Sequence, residues 1–298
     1  MRPVPDRPTD NRAGLVRSVA RGLVAPPRLH AEAMRHDREG RVVLWPGTGG
    51  VNPGVHVGGR VDAWVADHLM VGASIEDAGA APAEPGPLHL LACVGNRVRD
   101  SAGAHLGVVA GKRGGLAPGF FPPSLISVEA EEERLGRLVP GDVVFVETHG
   151  RGLVLEGWPD VLPLNCSPEV LEALPLRLAG GGIEVDVRVV VPSRAAGAGL
   201  GQDAWIGDLE ITEAHAAEAT DGLRFGDLVA FADIDGRFGR YYRPGTVSVG
   251  IVAHGPSPAP GHGVGVTLLL AGPSSDLRVR TSANATIAPL LKRLAHEG

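Results

Sequence analysis

From residue 41 onward, short apolar runs rich in valine follow one another, each broken by glycine, proline or aspartate. RVVLWPGTGG, VHVGGRVDAWVADHL, LHLLACVGNRV, LGVVAGKRGG, ISVEA and GDVVFVETHGRGLVLE carry this pattern through residue 156. Branched side chains packed in runs of about four to eight residues between turn formers predict strands rather than helices. SPEVLEALPLRL breaks the pattern, with Ser167 as a cap and Pro168 at the first helical position, and predicts a short helix. The near-continuous apolar stretch IEVDVRVVVP then predicts a strand, AAGAGLGQDA a glycine loop, and ITEAHAAEATDGL a second helix capped by Thr212. FGDLVAFADID, TVSVGIVAHG and GVGVTLLLAG return to strands. NATIAPLLKRLAHEG closes the chain as an amphipathic helix with Ile287, Leu290, Leu291 and Leu294 on its apolar stripe.

The fold class expected is mainly β, in barrel-like or SH3-like subdomains with a few short helices and a C-terminal helix. The expected division is a partly flexible N-terminal segment over 1–40, a β-barrel-like subdomain over 41–165 and a second β-rich subdomain over 166–298 with the C-terminal helix. Within 1–40, residues 1–14 are rich in proline and charge, and LVRSVARGLVAPPRL resumes apolar spacing as a first strand or a short helix. GDVVFVETHGRG and GDLVAFADIDGRFG share a Gly-Asp turn, an apolar strand and an acidic end. The shared phrase fits either two similar barrel-like units or a tight turn opening a hairpin strand in each.

Composition narrows the class. With 44% hydrophobic and 21% charged residues the 298-residue chain is globular, and its 43 glycines and 25 prolines fit many turns between short elements. A net charge of -6 counts against a surface that neutralises phosphates, so a nucleic-acid partner is disfavoured. Cys93 and Cys166 stand far apart outside any CxxC pattern, which gives neither a zinc ribbon nor a disulfide framework and fits a reducing compartment. No apolar run reaches the roughly 18 to 20 residues that span a bilayer, and MRPVPDRPTDNRAG lacks the apolar core of a signal peptide. The expectation is a cytoplasmic protein with no membrane partner.

Four stretches, WPGTGGVNPGVHVGGRVDAWVADHL, ACVGN, GVVAGKRGG and GTVSVGIVAHGPSPAPGHGVGV, occur in an order that resembles the family called domain of unknown function 4438, over about residues 40 to 272. The resemblance implies β-barrel-like domains with few helices and brings no established activity.

Candidate chemistry is therefore read from the residues. Asp67 and His68 are adjacent in VADHL, so on a strand they would point to opposite faces. A turn there would let a carboxylate orient the imidazole as acid or base; the alternative is a histidine satisfied by hydrogen bonds at a strand end. His254 ends a strand and His262 follows eight residues on across GPSPAPG, a hairpin able to bring both rings to one mouth. With His56 or His68 they would form His₃ or His₂-carboxylate sets suited to zinc or iron, but the spacing matches no signature such as HExxH, so no metal or other cofactor is expected. Asp67, His68, His254 and His262 are the catalytic candidates.

In FADIDGRFGRYYRPG, Asp233 and Asp235 share a face if the strand persists, and the D-x-D-G start resembles a calcium loop that lacks its later acidic ligand. Arg237, Arg240 and Arg243 supply the planar forks that hold carboxylate, sulfate or phosphate, with Tyr241 or Tyr242 adding a hydroxyl; the alternative is a solvated charged turn. These arginines, with His56, Asp233, Asp235 and Tyr241, are the candidates for binding a small polar or anionic metabolite. Lys112 and Arg113 in GVVAGKRGG read as a barrel turn or lid, although similar hairpins touch RNA. PGTGG and AAGAGLG lack the strand and helix context of nucleotide loops.

The function expected is a small-molecule enzyme using metal-free His/Asp acid–base chemistry with arginine anion binding, including intramolecular C–N ring closure with a sulfate or phosphate leaving group in secondary metabolism. Metal-assisted hydrolysis of a small polar metabolite is the first alternative. A non-catalytic β-barrel that binds a ligand, a protein partner or a second copy of itself is the other.

Overall fold

The computed structural model describes residues 6–27, 35–37, 39–43, 45–47, 49–78, 86–114, 124–212 and 220–297. Its first half contains strands β1 (Ser18–Val24), β2 (Arg35–His36), β3 (Val42–Val43), β4 (Val51–Asn52), β5 (Gly72–Asp77), β6 (Arg97–Asp100), β7 (His105–Arg113), β8 (Leu125–Ala130) and β9 (Val143–Thr148), with short helices α1 (Pro87–Leu91) and α2 (Glu132–Leu135). One sheet runs β1-β9-β6-β7-β8-β5-β4, and β1 also pairs with β5 through Gly22 to Val24. Six strands thus close on themselves, which removes the exposed edges an open sheet would present. The inward side chains Ala20, Val24, Ile75, Val98, Val109, Ile126, Val128, Val144 and Val146 fill the interior.

The second half contains β10 (Leu162–Pro163), β11 (Leu176–Ala179), β12 (Gly182–Val187), β13 (Val189–Val191), β14 (Leu209–Thr212), β15 (Leu228–Asp235), β16 (Tyr241–His254), β17 (Gly263–Pro273) and β18 (Leu277–Thr281), with α3 (Pro168–Ala173) and α4 (Ala288–His296). Its main sheet runs β10-β17-β16-β15-β13, with β14 added to β17, and a three-stranded sheet runs β11-β12-β18. The mainly β, barrel-containing fold with few helices and a C-terminal helix is as the chain pattern predicts.

Local signals are equally specific. The Ser167 side chain accepts the Val170 N–H at 3.2 Å and caps α3, and α4 buries Leu291 and Leu294. The glycines of the two Gly-Asp phrases, Gly141 and Gly226, share φ values of 95° and 94°, so both phrases open on a left-handed glycine turn.

Three assignments differ. VHVGGRVDAWVADHL forms consecutive turns instead of a strand, because Gly58 and His68 both take positive φ and interrupt extension. LHLLACVGNRV begins as helix α1, started by Pro87 and anchored by Asp77, whose carboxylate accepts the Leu88 and His89 N–H groups. The strand β1 falls in the stretch set apart as N-terminal, yet supplies a barrel stave against β9 and β5. Of the helix expected over ITEAHAAEATDGL, residues 213–219 lie outside the described residues; Thr212 ends β14, and its hydroxyl donates to the Ala195 carbonyl instead of capping. Among the described residues no helix is long and apolar enough to cross a membrane.

The two halves meet along β7, which is buried on both faces and lies against β16 and β17. Gly111 permits this approach, since a Cβ there would stand 2.5 Å from the Ala253 Cβ. Thr267 then stitches the seam: its Oγ1 accepts the Lys112 N–H at 2.8 Å and donates to the Lys112 carbonyl at 3.1 Å. The Lys112 ammonium is fully buried and donates to His89 O at 2.7 Å, Asn165 Oδ1 at 2.8 Å and Trp205 O at 3.0 Å. It is a staple between halves, neither a lid nor a surface group available to RNA phosphates. Burial pushes its pKa down to about 7. Lys112→Ala strands three acceptors at once, and urea unfolding is expected to show a loss of at least about 3 kcal/mol.

Candidate functional site

The seam gathers polar groups from distant stretches. Beside it the backbone of residues 67–70 runs along the end of β16: His68 N–H donates to Pro256 O at 3.1 Å, Gly255 N–H to Leu69 O at 2.8 Å, and Met70 bridges to His254. This path needs the turn at His68, whose φ of 53° is a left-handed conformation that few non-glycine residues adopt. The turn also swings Asp67 and His68 together, so Asp67 Oδ1 stands 2.7 Å from His68 Nδ1.

From the second half, β14 contributes Glu210, and Asp208 precedes it by two residues on the same side. Glu210 lies opposite Gly265 of β17, and Gly265 lies opposite His254 of β16, so one cross-strand row reads carboxylate, glycine, imidazole. The glycine is required, because a Cβ at 265 would fall 1.9 Å from His254 Nε2. The imidazole therefore lies across the bare backbone of β17 towards β14. His254 Nε2 meets Asp208 Oδ2 at 2.8 Å, its Nδ1 donates to Gly255 O at 2.7 Å, and Asp208 Oδ1 accepts the Gly114 N–H at 2.8 Å.

The hairpin after β16 returns His262 to the same place. His262 Nδ1 stands 3.0 Å from Glu210 Oε1 and 3.3 Å from His68 Nε2, and His68 Nε2 stands 3.3 Å from the same Glu210 oxygen. Glu210 Oε2 accepts the Gly263 N–H at 2.7 Å. His68 packs edge-on to both other rings, with centroids 5.0 Å from His254 and 5.2 Å from His262. His68, His254, Asp208 and Glu210 are buried, and His262 keeps 16% of its side-chain exposure.

Burial, aided by the Arg113 charge, pushes His68 below its ordinary pKa and keeps it neutral. Burial acts the same way on His254, but the charge and hydrogen bond of Asp208 outweigh it and raise that ring. The protonated form of His254 is thus favoured, whereas the neutral form of His68 is favoured. Its Nδ1 faces Asp67 Oδ1, and its Nε2 faces Glu210 Oε1 and His262 Nδ1.

Asp67, His68, His254 and His262 therefore lie together, and the remaining candidates do not join them. His56 sits on the first barrel between Glu129 and Glu132, at 2.8 and 2.9 Å. Asp233 has φ 57° at a bulge between β15 and β16 and accepts the Gly245 N–H, so it does not share a face with Asp235. Asp235 is buried and takes both Arg237 and Arg243, at 2.9 and 3.1 Å. Tyr241 and Tyr242 are exposed. Arg240 is fully buried and donates to the carbonyls of Gly199 and Ile206 at 2.8 and 3.0 Å, while its Nη1 has no hydrogen-bond partner.

Asp208 and Glu210 were missed by sequence reasoning. Their signal was present: two carboxylates spaced by two in GDLEIT, where an apolar strand begins, share one face.

Two substitutions test this geometry. Gly265→Ala is expected to displace the His254 ring and cost about 1–3 kcal/mol in urea unfolding. At His56, burial lowers the pKa, but the hydrogen bonds and charges of Glu132 and Glu129 outweigh it and raise the ring. A raised histidine stabilises the fold below its unfolded pKa of about 6.5 and loses that contribution as pH rises through the folded value. The stability gap between the native chain and His56→Gln is therefore expected to be wider at pH 6 than at pH 8.5.

The comparisons agree on relationship. Residues 34–172 match the N-terminal model of a domain of unknown function, DUF4438, and residues 173–291 match its C-terminal model. The crystal structure of TM1086 is similar at 31% identity with a TM-score of 0.87, covering 95% of this chain and 99% of that one. No curated protein matches. The chain belongs to the DUF4438 family, whose two models meet in the short helix α3.

Proposed function

We propose that the protein is an enzyme that activates water against a small polar molecule, with His68, His262 and Glu210 holding and deprotonating the nucleophile and the proton-bearing Asp208–His254 pair donating to the departing group. One observation carries this reading: three imidazoles and two carboxylates from residues 68, 208–210 and 254–262 converge where only His262 retains appreciable exposure. Burying so many ionisable groups is costly for stability, and such clusters concentrate at working sites. The pair at 2.8 Å shares one proton, and the neighbouring neutral imidazole offers a lone pair, which together suit proton transfer in a dry setting.

Hydrolysis is favoured over ring closure because the arginines of the 237–243 turn are engaged elsewhere and Arg113, whose charge acts on His68 and His254, is buried. A departing sulfate or phosphate needs a free guanidinium fork beside the base. Arg237 and Arg243 are committed to Asp235, and Arg240 spends two of its nitrogens on backbone carbonyls.

A panel of small polar esters and amides incubated with the protein and followed by mass spectrometry tests the reading. One class is expected to be consumed, about 100-fold or more slowly by His254→Gln and at an unchanged rate by His56→Gln. Turnover that survives both His254→Gln and Asp208→Asn would overturn it.

A further inference from the structure

We propose that His68 Nε2, His262 Nδ1 and Glu210 Oε1 bind one divalent metal ion of the zinc class. The inference builds on the reading of this cluster as the working site, although metal uptake is measurable without any substrate.

Three features carry it. The first is spacing: the three atoms stand 3.0, 3.3 and 3.3 Å from one another. Ligands about 2.0–2.1 Å from a tetrahedral zinc are separated by about 3.3–3.4 Å, so an ion just out of the plane of these atoms reaches all three. Two imidazoles and one carboxylate form a recurrent zinc and iron(II) set that leaves positions open for water.

The second feature is how the three atoms converge. Glu210 Oε1 lies within reach of His68 Nε2 and His262 Nδ1 at once, and the two ring nitrogens lie within reach of each other. A ring nitrogen that binds a metal carries no hydrogen and a carboxylate oxygen is an acceptor, so one ion satisfies all three atoms while each ring keeps its hydrogen on the other nitrogen. For His68 that other nitrogen is Nδ1, 2.7 Å from Asp67 Oδ1.

The third feature is outer support. Asp67 orients His68, and the Gly263 N–H fixes Glu210 Oε2, which is how carboxylates and amides hold metal ligands in place. The neighbouring set of Asp208, Glu210 and His254 differs, because Asp208 Oδ2 and His254 Nε2 are only 2.8 Å apart and already share a proton. That pair remains beside the ion as a proton donor.

The full chain, stripped with a chelator and titrated with Zn²⁺ by calorimetry, is expected to take up one equivalent. Co²⁺ in its place is expected to give the visible absorption of a four-coordinate site. His262→Ala and Glu210→Gln should each weaken uptake at least about 100-fold, beyond the 10–100-fold that outer partners alone cost. His262→Cys, a ligand replacement at a partly exposed position, should retain uptake and add a thiolate-to-cobalt band, while His56→Ala should bind like the native chain. Absence of uptake by the native chain, or equal uptake by the native, His262→Ala and Glu210→Gln chains, would overturn the proposal. Zinc uptake without turnover of any substrate would leave this site standing and remove the hydrolytic reading. Turnover by a native chain that takes up no zinc would do the reverse.

Discussion

The close approach of β7 to β16 and β17 governs the molecule, because each half supplies part of the site and only this seam brings the parts into register. Gly111 removes the side chain that would keep the sheets apart, and Thr267 satisfies both backbone groups of Lys112 across the gap. The Lys112 ammonium then ties the helix α1 region, Asn165 and the Trp205 loop to one point. A buried cation with three acceptors is costly to disturb and tolerant of little displacement. Such a constraint suits a junction whose alignment has to hold to a fraction of an ångström.

The polar cluster follows from that alignment. His68 reaches it through a left-handed turn, paired by backbone to the end of β16, while Glu210 and His254 reach it across the bare backbone of Gly265. The site rests on strands rather than on loop tips, with the exception of His262, the one ring that keeps exposure. Rigid placement of the buried rings and freedom at the rim are compatible with a site that binds from one side.

Much of the fold was legible because strand signals are local. Runs of valine between glycine turns marked β15, β16 and β17, and Ser167 with Pro168 marked α3. VADHL was less legible, since whether Asp67 and His68 meet depends on a backbone turn that apolar alternation does not encode. The histidines at 254 and 262 were readable from their hairpin, but their carboxylate partners lie about fifty residues earlier, in contact only through the β14–β17 pairing. The arginine-rich turn misled for a related reason: residue types gave its chemistry correctly, while the partner that neutralises Arg237 and Arg243 is the adjacent Asp235. Lys112 looked like a surface turn because nothing in GVVAGKRGG signals that a second sheet covers it.

The proposed site rests on one arrangement, a zinc ion joining His68 Nε2, His262 Nδ1 and Glu210 Oε1. A long-range ¹H–¹⁵N correlation spectrum of the histidine rings, taken with zinc added, reads this directly. The expected spectrum shows a protonated Nδ1 and a metal-shifted Nε2 for His68. A hydrogen found on His68 Nε2, unmoved by zinc, would contradict it.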